Sequence, residues 1–181
     1  LSGKLSIAGI NSPTSVTVAG AVSALEAFEA ALAERKVTYK RLDLDYAFHS
    51  PEMDPIEAGI RDALATLRPG ATRVSFHSAV SGARLDGAAL DAGYWWRNIR
   101  EPVRFRDAID SIQATGPRIY IEIGPHPLLR GYIVGTLGEA SVLNRVVPTL
   151  VRNDDGPERL WSATGQALIA GAPIDWNAWF A

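Results

Sequence analysis

A group that exchanges a proton near neutral pH is the first requirement of acid–base chemistry, and three imidazoles can meet it: His49, His77 and His126. His49 stands in "DLDYAFHSPEMDP". Ser50 precedes a proline and is biased to an extended backbone, so it can cap a helix with Pro51 at its first position. That puts His49 at a strand-to-helix corner, one residue before the cap. Ligands of open α/β sheets gather beyond the carboxyl ends of strands, and an imidazole there is placed to act as a general base. The plainer alternative stays open, since a histidine at a helix start can simply satisfy backbone or water. His126, in "IEIGPHPLLRG", follows a second strand, held between two prolines with Gly124 allowing close approach. It reads as a shaped turn more than as the wall of a site. His77 ends a strand with no acidic neighbour in sequence and reads as structural.

A base needs a nucleophile to act on. The chain has no cysteine, which removes thiol nucleophiles, disulfides and zinc ribbons together. A serine activated by His49 is expected on a sharp strand-to-helix turn such as GxSxG. The nearest approach is "SAVSG" (residues 78–82), which lacks the first glycine. If His49 is a base, its serine is expected outside these residues. Leu1 is not methionine and leads almost at once into a strand-like run, which reads as a piece of a longer polypeptide.

Other chemistries find no motif. Three scattered histidines without HxxxH spacing make no metal site, and neither GxxxxGK[ST] nor GxGxxG is present. A net charge of -2 gives no footprint for nucleic acid. No apolar run approaches the roughly 18–20 residues of a membrane span. Nothing at the start resembles a signal peptide, so the expected setting is cytoplasmic.

The elements that must position His49 follow from periodicity. Leu5–Ile10 and Ser15–Ala19 are two β-type runs joined by "NSPT", a hairpin. Residues 21–35 form a helix with Val22, Leu25, Phe28 and Leu32 on one stripe. Val37 to Leu44 is predicted as a third strand whose apolar phase breaks midway. Ser50 starts a helix with Met53, Ile56, Ile60, Leu64 and Leu67 as its buried stripe. Arg73–Phe76 is a short strand, "SGARLDG" a polar excursion, and "DAGYWWRNI" a short helix with Trp95 and Trp96 in core or interface. A second helix is expected to start at Pro102, with Phe105, Ala108, Ile109 and Ile112 as its stripe. Arg118–Gly124 and Asn144–Leu150 are strands with a helix between them. After "NDDGPE", a helix with Leu160, Trp161, Thr164, Ala167 and Leu168 on one side leads to an aromatic end, Trp176, Trp179 and Phe180. This alternation predicts a mostly parallel α/β sheet, preceded by a β-β-α-β unit that suits the last four elements of a ferredoxin-like βαββαβ.

Four stretches, "SIAGINSPTSVTVAG", "LDYAFHSPEMDPI", "YWWRNIREPVRFRDAI" and "YIEIGPHPLL", together resemble the C-terminal part of the acyltransferase domain of type I polyketide synthases. They are similar also to malonyl-CoA:acyl-carrier-protein transacylases, and the likeness covers nearly the whole chain. The resemblance implies an α/β hydrolase-like core carrying a ferredoxin-like small subdomain. Residues 1–44 would belong to that subdomain, 45–152 to the large one, and 153–181 to a terminal helix and the start of a linker running along a neighbouring ketosynthase. It implies a ping-pong transfer of a malonyl-type extender unit from CoA to the phosphopantetheine thiol of an acyl carrier protein, with no bound cofactor and no metal. His49 matches the family's base, paired with a serine from an upstream GHSxG, so the piece alone is expected to be inactive. The family orients that imidazole with a backbone carbonyl, which alignment on "REPVRF" assigns to Asn98. "YAFH" occupies the extender-selectivity motif, with Tyr46 and Phe48 beside the substrate. Phe48 matches the malonyl-type "HAFH" and Tyr46 the methylmalonyl-type "YASH", and malonyl is the favoured reading. Two alternatives stand beside it: a non-catalytic scaffold or docking module of a synthase, and a generic α/β-hydrolase, against which the insert-like unit argues.

Overall fold

The computed structural model describes residues 4–138, 140–173 and 175–179. They form two compact units, 1–108 and 109–181.

The first unit opens with β1 (Leu5–Ser12) and β2 (Ser15–Gly20), an antiparallel hairpin closed by Pro13 and Thr14, with Ser12 opposite Ser15. Register shifts near Gly9 and Ser12 mark bulges. α1 (Val22–Glu34) follows; Leu25, Phe28 and Leu32 of its apolar stripe are largely but not fully buried, while Val22 is 60% exposed. It stops at Lys36, a left-handed residue at φ 56°. The third strand expected over residues 37–44 is absent. Val37, Tyr39, Leu42 and Leu44 stand about half exposed, and strand-type residues without an adjacent edge make no ladder.

The Ser50 helix begins as a 3₁₀ turn, Pro51–Ile56, and becomes α2 over Glu57–Ala63. Its expected stripe is only partly buried: Met53, Ile60 and Leu64 are largely covered, while Ile56 is 44% and Leu67 37% exposed. β3 (Phe76–Ser78) starts three residues later than the predicted strand, overlapping it only at Phe76, and pairs antiparallel with β4 (Ala83–Leu85), so the "polar excursion" is the return strand of a hairpin. Gly82, at φ 70°, makes the turn, and a Cβ there would lie 2.6 Å from the Asp107 Cβ. Ser78 is fully buried; its Oγ bonds the Tyr94 hydroxyl at 2.9 Å and accepts from Val80 N at 3.0 Å. α3 (Ala92–Arg100) is capped by Asp91 and buries Tyr94 and Trp96 while Trp95 stays 40% exposed. α4 (Phe105–Gln113) starts three residues after Pro102.

In the second unit β5 (Tyr120–Glu122) and β6 (Val146–Pro148) are parallel, the one parallel pair of strands among the described residues, beside an isolated parallel bridge between Gly9 and Val103, and both are shorter than predicted. α5 (Arg130–Leu137) joins them, ended by left-handed Gly138. α6 (Pro157–Ile169) buries Ala163 and Ala167 against Val147. The large residues of the predicted face do not follow: Leu160 is 48% and Trp161 61% exposed. The small residues pack because only they allow the helix to approach the strand. In α7 (Trp176–Trp179), Trp176 is 54% exposed; the side chain of Trp179, and Phe180, lie outside the described residues.

Candidate active site

Residues 46–54 and the end of α3 build one corner of the first unit. His49 adopts φ 63°, the left-handed region that β-carbon-bearing residues avoid. Its own N–H donates to the Ile99 carbonyl at 2.9 Å. The turn after it is fixed by Ser50, 1% exposed, whose Oγ donates to the Ala47 carbonyl at 2.7 Å and accepts from Glu52 N at 3.3 Å. The predicted N-cap at Ser50 and Pro51 at the first helical position are both present.

Helix α3 supplies the acceptors for a reason visible in its sequence. A helix leaves its last carbonyls without internal partners, and here Pro102 has no N–H to offer Asn98. Val103 N donates instead to the Ala8 carbonyl and Arg104 N to that of Ala79. The Ile99 carbonyl is therefore available to His49 N. Glu101, the residue that ends α3, is extended at φ −84°, ψ 156°, and its carbonyl lies 2.8 Å from His49 Nδ1. The orienting carbonyl is thus Glu101's and not that of Asn98. Alignment carries a motif's register but not the point at which the backbone leaves the helix, and Asn98 is still within it.

A carbonyl oxygen only accepts, so this bond puts the proton of neutral His49 on Nδ1 and leaves a lone pair on Nε2. That is the tautomer of a general base. A proton taken up at Nε2 would leave positive charge near the carbonyl-rich end of α3, where a helix dipole accommodates it. Tyr46 and Phe48 stand beside the ring. Their centroids are 4.4 Å apart, and Phe48 meets His49 edge-on at 6.3 Å. Both are exposed, at 49% and 42%. Tyr46, Phe48 and His49 are therefore brought together as expected, and Asn98 is replaced by Glu101. Also at this corner, Arg100 Nε donates to Asp54 Oδ1, a pair the sequence reading passed over.

The other histidines lie elsewhere. His77 is in β3, opposite Arg84. His126 Nδ1 accepts from Arg152 N at 3.3 Å, so this imidazole ties two loops of the second unit. That unit also holds an open groove of about 280 Å³ between the β5–β6 pair and α6, lined by Ile121, Val147, Leu160 and Ala167 among others. No cluster of metal-ligating side chains occurs among the described residues. Nor is any of their helices long and apolar enough to cross a membrane.

An α/β chain with a carbonyl-oriented histidine ahead of a serine–proline cap now meets its relatives. Residues 2–173 match the family model described as "Acyl transferase domain", and the chain belongs to that family. The relatives are acyltransferase domains of type I polyketide synthases. The chain is 38% identical over 179 residues to mycoketide-CoA synthase of Mycobacterium tuberculosis, covering 96% of the chain and 4% of that protein. It is 34% identical over 176 residues to erythronolide synthase EryA2 of Saccharopolyspora erythraea, covering 96% and 5%. Among solved structures, the acyltransferase domain from module 8 of the salinomycin polyketide synthase superposes with a TM-score of 0.90 at 33% identity, covering 97% of this chain and 42% of that one. The chain thus spans a small fraction of the curated relatives and under half of the solved domain.

Proposed function

We propose that the chain carries the general base of a polyketide synthase acyltransferase that moves a malonyl-type extender unit from CoA to the phosphopantetheine thiol of an acyl carrier protein. The observation that carries this reading is the Nδ1 bond of His49 to the Glu101 carbonyl, which leaves Nε2 as the proton acceptor. A serine supplied by the rest of the domain gives its proton to Nε2 as its oxygen attacks the thioester carbonyl. The C–S bond breaks, and the imidazolium returns the proton to the CoA sulfur. In the second half the phosphopantetheine thiol gives its proton to Nε2, attacks the seryl ester, and the serine oxygen recovers the proton as it leaves. The peptide carbonyl does the orienting work that an aspartate does in a serine–histidine–aspartate triad.

Phe48, packed on Tyr46, narrows the space beside the acyl α-carbon. A methyl that does not fit is worth about 1–3 kcal/mol, so malonyl is favoured over methylmalonyl. On this reading residues 1–44 belong to a ferredoxin-like small subdomain, 45–152 to a hydrolase-like core and 153–181 to a terminal helix and the start of a linker along a ketosynthase, in a cytoplasmic multienzyme. The test is His49→Ala in the full-length polypeptide that contains this chain. Acyl-enzyme formation from labelled malonyl-CoA should fall by about 10²–10⁴, and the 181-residue chain alone should not self-acylate. An unchanged rate in a folded variant overturns the catalytic reading in favour of a scaffold, and robust self-acylation overturns the placement of the serine elsewhere.

A further inference from the structure

We infer that the Arg100–Asp54 pair is a positioning device for the base, holding the Glu101 carbonyl on His49 Nδ1 and thereby keeping the ring in the Nδ1–H tautomer. The inference rests on the reading of His49 as that base. Its basis is a closed circuit of contacts. His49 touches the end of α3 twice, through its own N–H to Ile99 O at 2.9 Å and through Nδ1 to Glu101 O at 2.8 Å. Arg100 lies between those two carbonyls in sequence, and its guanidinium reaches Asp54 on the 3₁₀ turn that His49 and Ser50 begin. That turn is tied down at its start, by Ser50 Oγ, which donates to Ala47 O and accepts from Glu52 N, and by Met53 N to Ser50 O at 3.1 Å.

Without the pair, the Glu101 peptide has lost its nearest side-chain anchor. Three internal helix bonds that would have steadied the segment are already missing beyond Arg97, because Pro102 cannot donate and Val103 and Arg104 donate elsewhere. The exposures, 30% for the Arg100 side chain and 55% for that of Asp54, also decide what the pair is for. An ion pair this accessible adds little to global stability. Its leverage is on the direction of one carbonyl, and so on which ring nitrogen holds the proton. Arg100 suits this better than lysine would, since its planar fork fixes an angle as well as a charge.

The experiment reads the tautomer directly. With ¹⁵N-histidine labelling of the chain, only three imidazoles report, observed at a pH where they are neutral. In Asp54→Ala and in Arg100→Gln, the ratio of Nδ1–H to Nε2–H tautomer at His49 should fall about two- to fivefold, the factor an exposed ion pair can support. The signals of His77 and His126 should stay in place. The exchanged pair, Asp54→Arg with Arg100→Asp, should recover part of the ratio, which a loss of bulk or fold would not do. In the full-length polypeptide the same single variants should lower kcat for acyl transfer by the factor by which the Nδ1–H fraction falls, and leave KM for the acyl-CoA unchanged. Should Asp54→Ala fail to fold, the isosteric Asp54→Asn gives the reading. An unaltered His49 tautomer ratio in a folded variant overturns the inference and leaves the base assignment standing. A ratio that responds, alongside full activity of His49→Ala, sinks the base assignment instead.

Discussion

The left-handed backbone of His49 allows its structural and chemical roles to be separated with two substitutions. His49→Gly and His49→Ala both remove the imidazole, so both lose the bond to the Glu101 carbonyl, worth about 1 kcal/mol net; that loss cancels between them. What differs is the cost of holding φ at 63°. A residue with a β-carbon pays about 1–2 kcal/mol there, and glycine pays nothing. Against this, glycine forfeits about 0.5–1 kcal/mol to the greater freedom of the unfolded chain. The balance is about 0.5–1 kcal/mol in favour of glycine, the reverse of the usual order of these residues. Urea denaturation of the 181-residue chain reads it as a midpoint about 0.3–0.5 M higher for the glycine variant, at a slope of about 2 kcal/mol/M. A midpoint for alanine equal to or above that of glycine would falsify the strained corner. Both variants should be equally inert in acyl transfer, because the strain concerns the backbone and the chemistry concerns Nε2.

Two further outcomes concern the second unit. Glu122 is buried, and its carboxylate accepts from the backbone amides of Leu128 at 2.7 Å, Leu129 at 2.8 Å and Arg130 at 3.0 Å, closing the "GPHPLL" loop onto the start of α5. Glu122→Gln replaces one accepting oxygen by a donor facing donors and should cost about 2–3 kcal/mol. Amide exchange at residues 128–130 should accelerate, and unchanged protection there would contradict the cap. Burial pushes the Tyr120 phenol above its ordinary value, outweighing the opposing charges of Arg145 and Arg118. The unfolded phenol then releases its proton first, so this contribution to stability is complete below about pH 10 and is lost as pH rises through the folded value. Tyr120→Phe should flatten the alkaline limb of the stability profile; an identical limb would refute the assignment.

How far these features could be read in advance depended on the range of the interaction behind them. The β1–β2 hairpin and the Ser50–Pro51 start depend on neighbours in sequence and appear where their residues indicate, and the helix expected after "NDDGPE" is present but begins inside that stretch, at Pro157. The third strand over residues 37–44 did not form, although Val37, Tyr39, Leu42 and Leu44 have strand character, because a strand is completed by an edge that its own residues do not encode. Periodicity likewise named the wide apolar face of α6, Leu160 and Trp161 included, whereas contact with Val147 selected the small residues Ala163 and Ala167. A stripe of apolar residues says which faces are eligible for burial. Steric fit chooses among them.

The site divides along the same line. Tyr46, Phe48 and His49 lie within four consecutive residues, so the motif that contains them also places them together. The carbonyl that orients His49 is a property of the chain's direction, and no residue type records it. Glu101 takes that role through its position, as the first extended residue after α3. Pro102 is the part of this that a sequence does display: by denying Asn98 a donor it ends the helix, and the chain beyond turns Val103 toward β1. Counting forward from Asn98 along "NIREP" therefore reaches the correct turn of the correct helix and misses the acceptor by three residues. A substitution at Glu101 that keeps an extended backbone should thus preserve the Nδ1–H tautomer whatever its side chain. The acceptor is the peptide group, and the glutamate contributes only where the backbone stands.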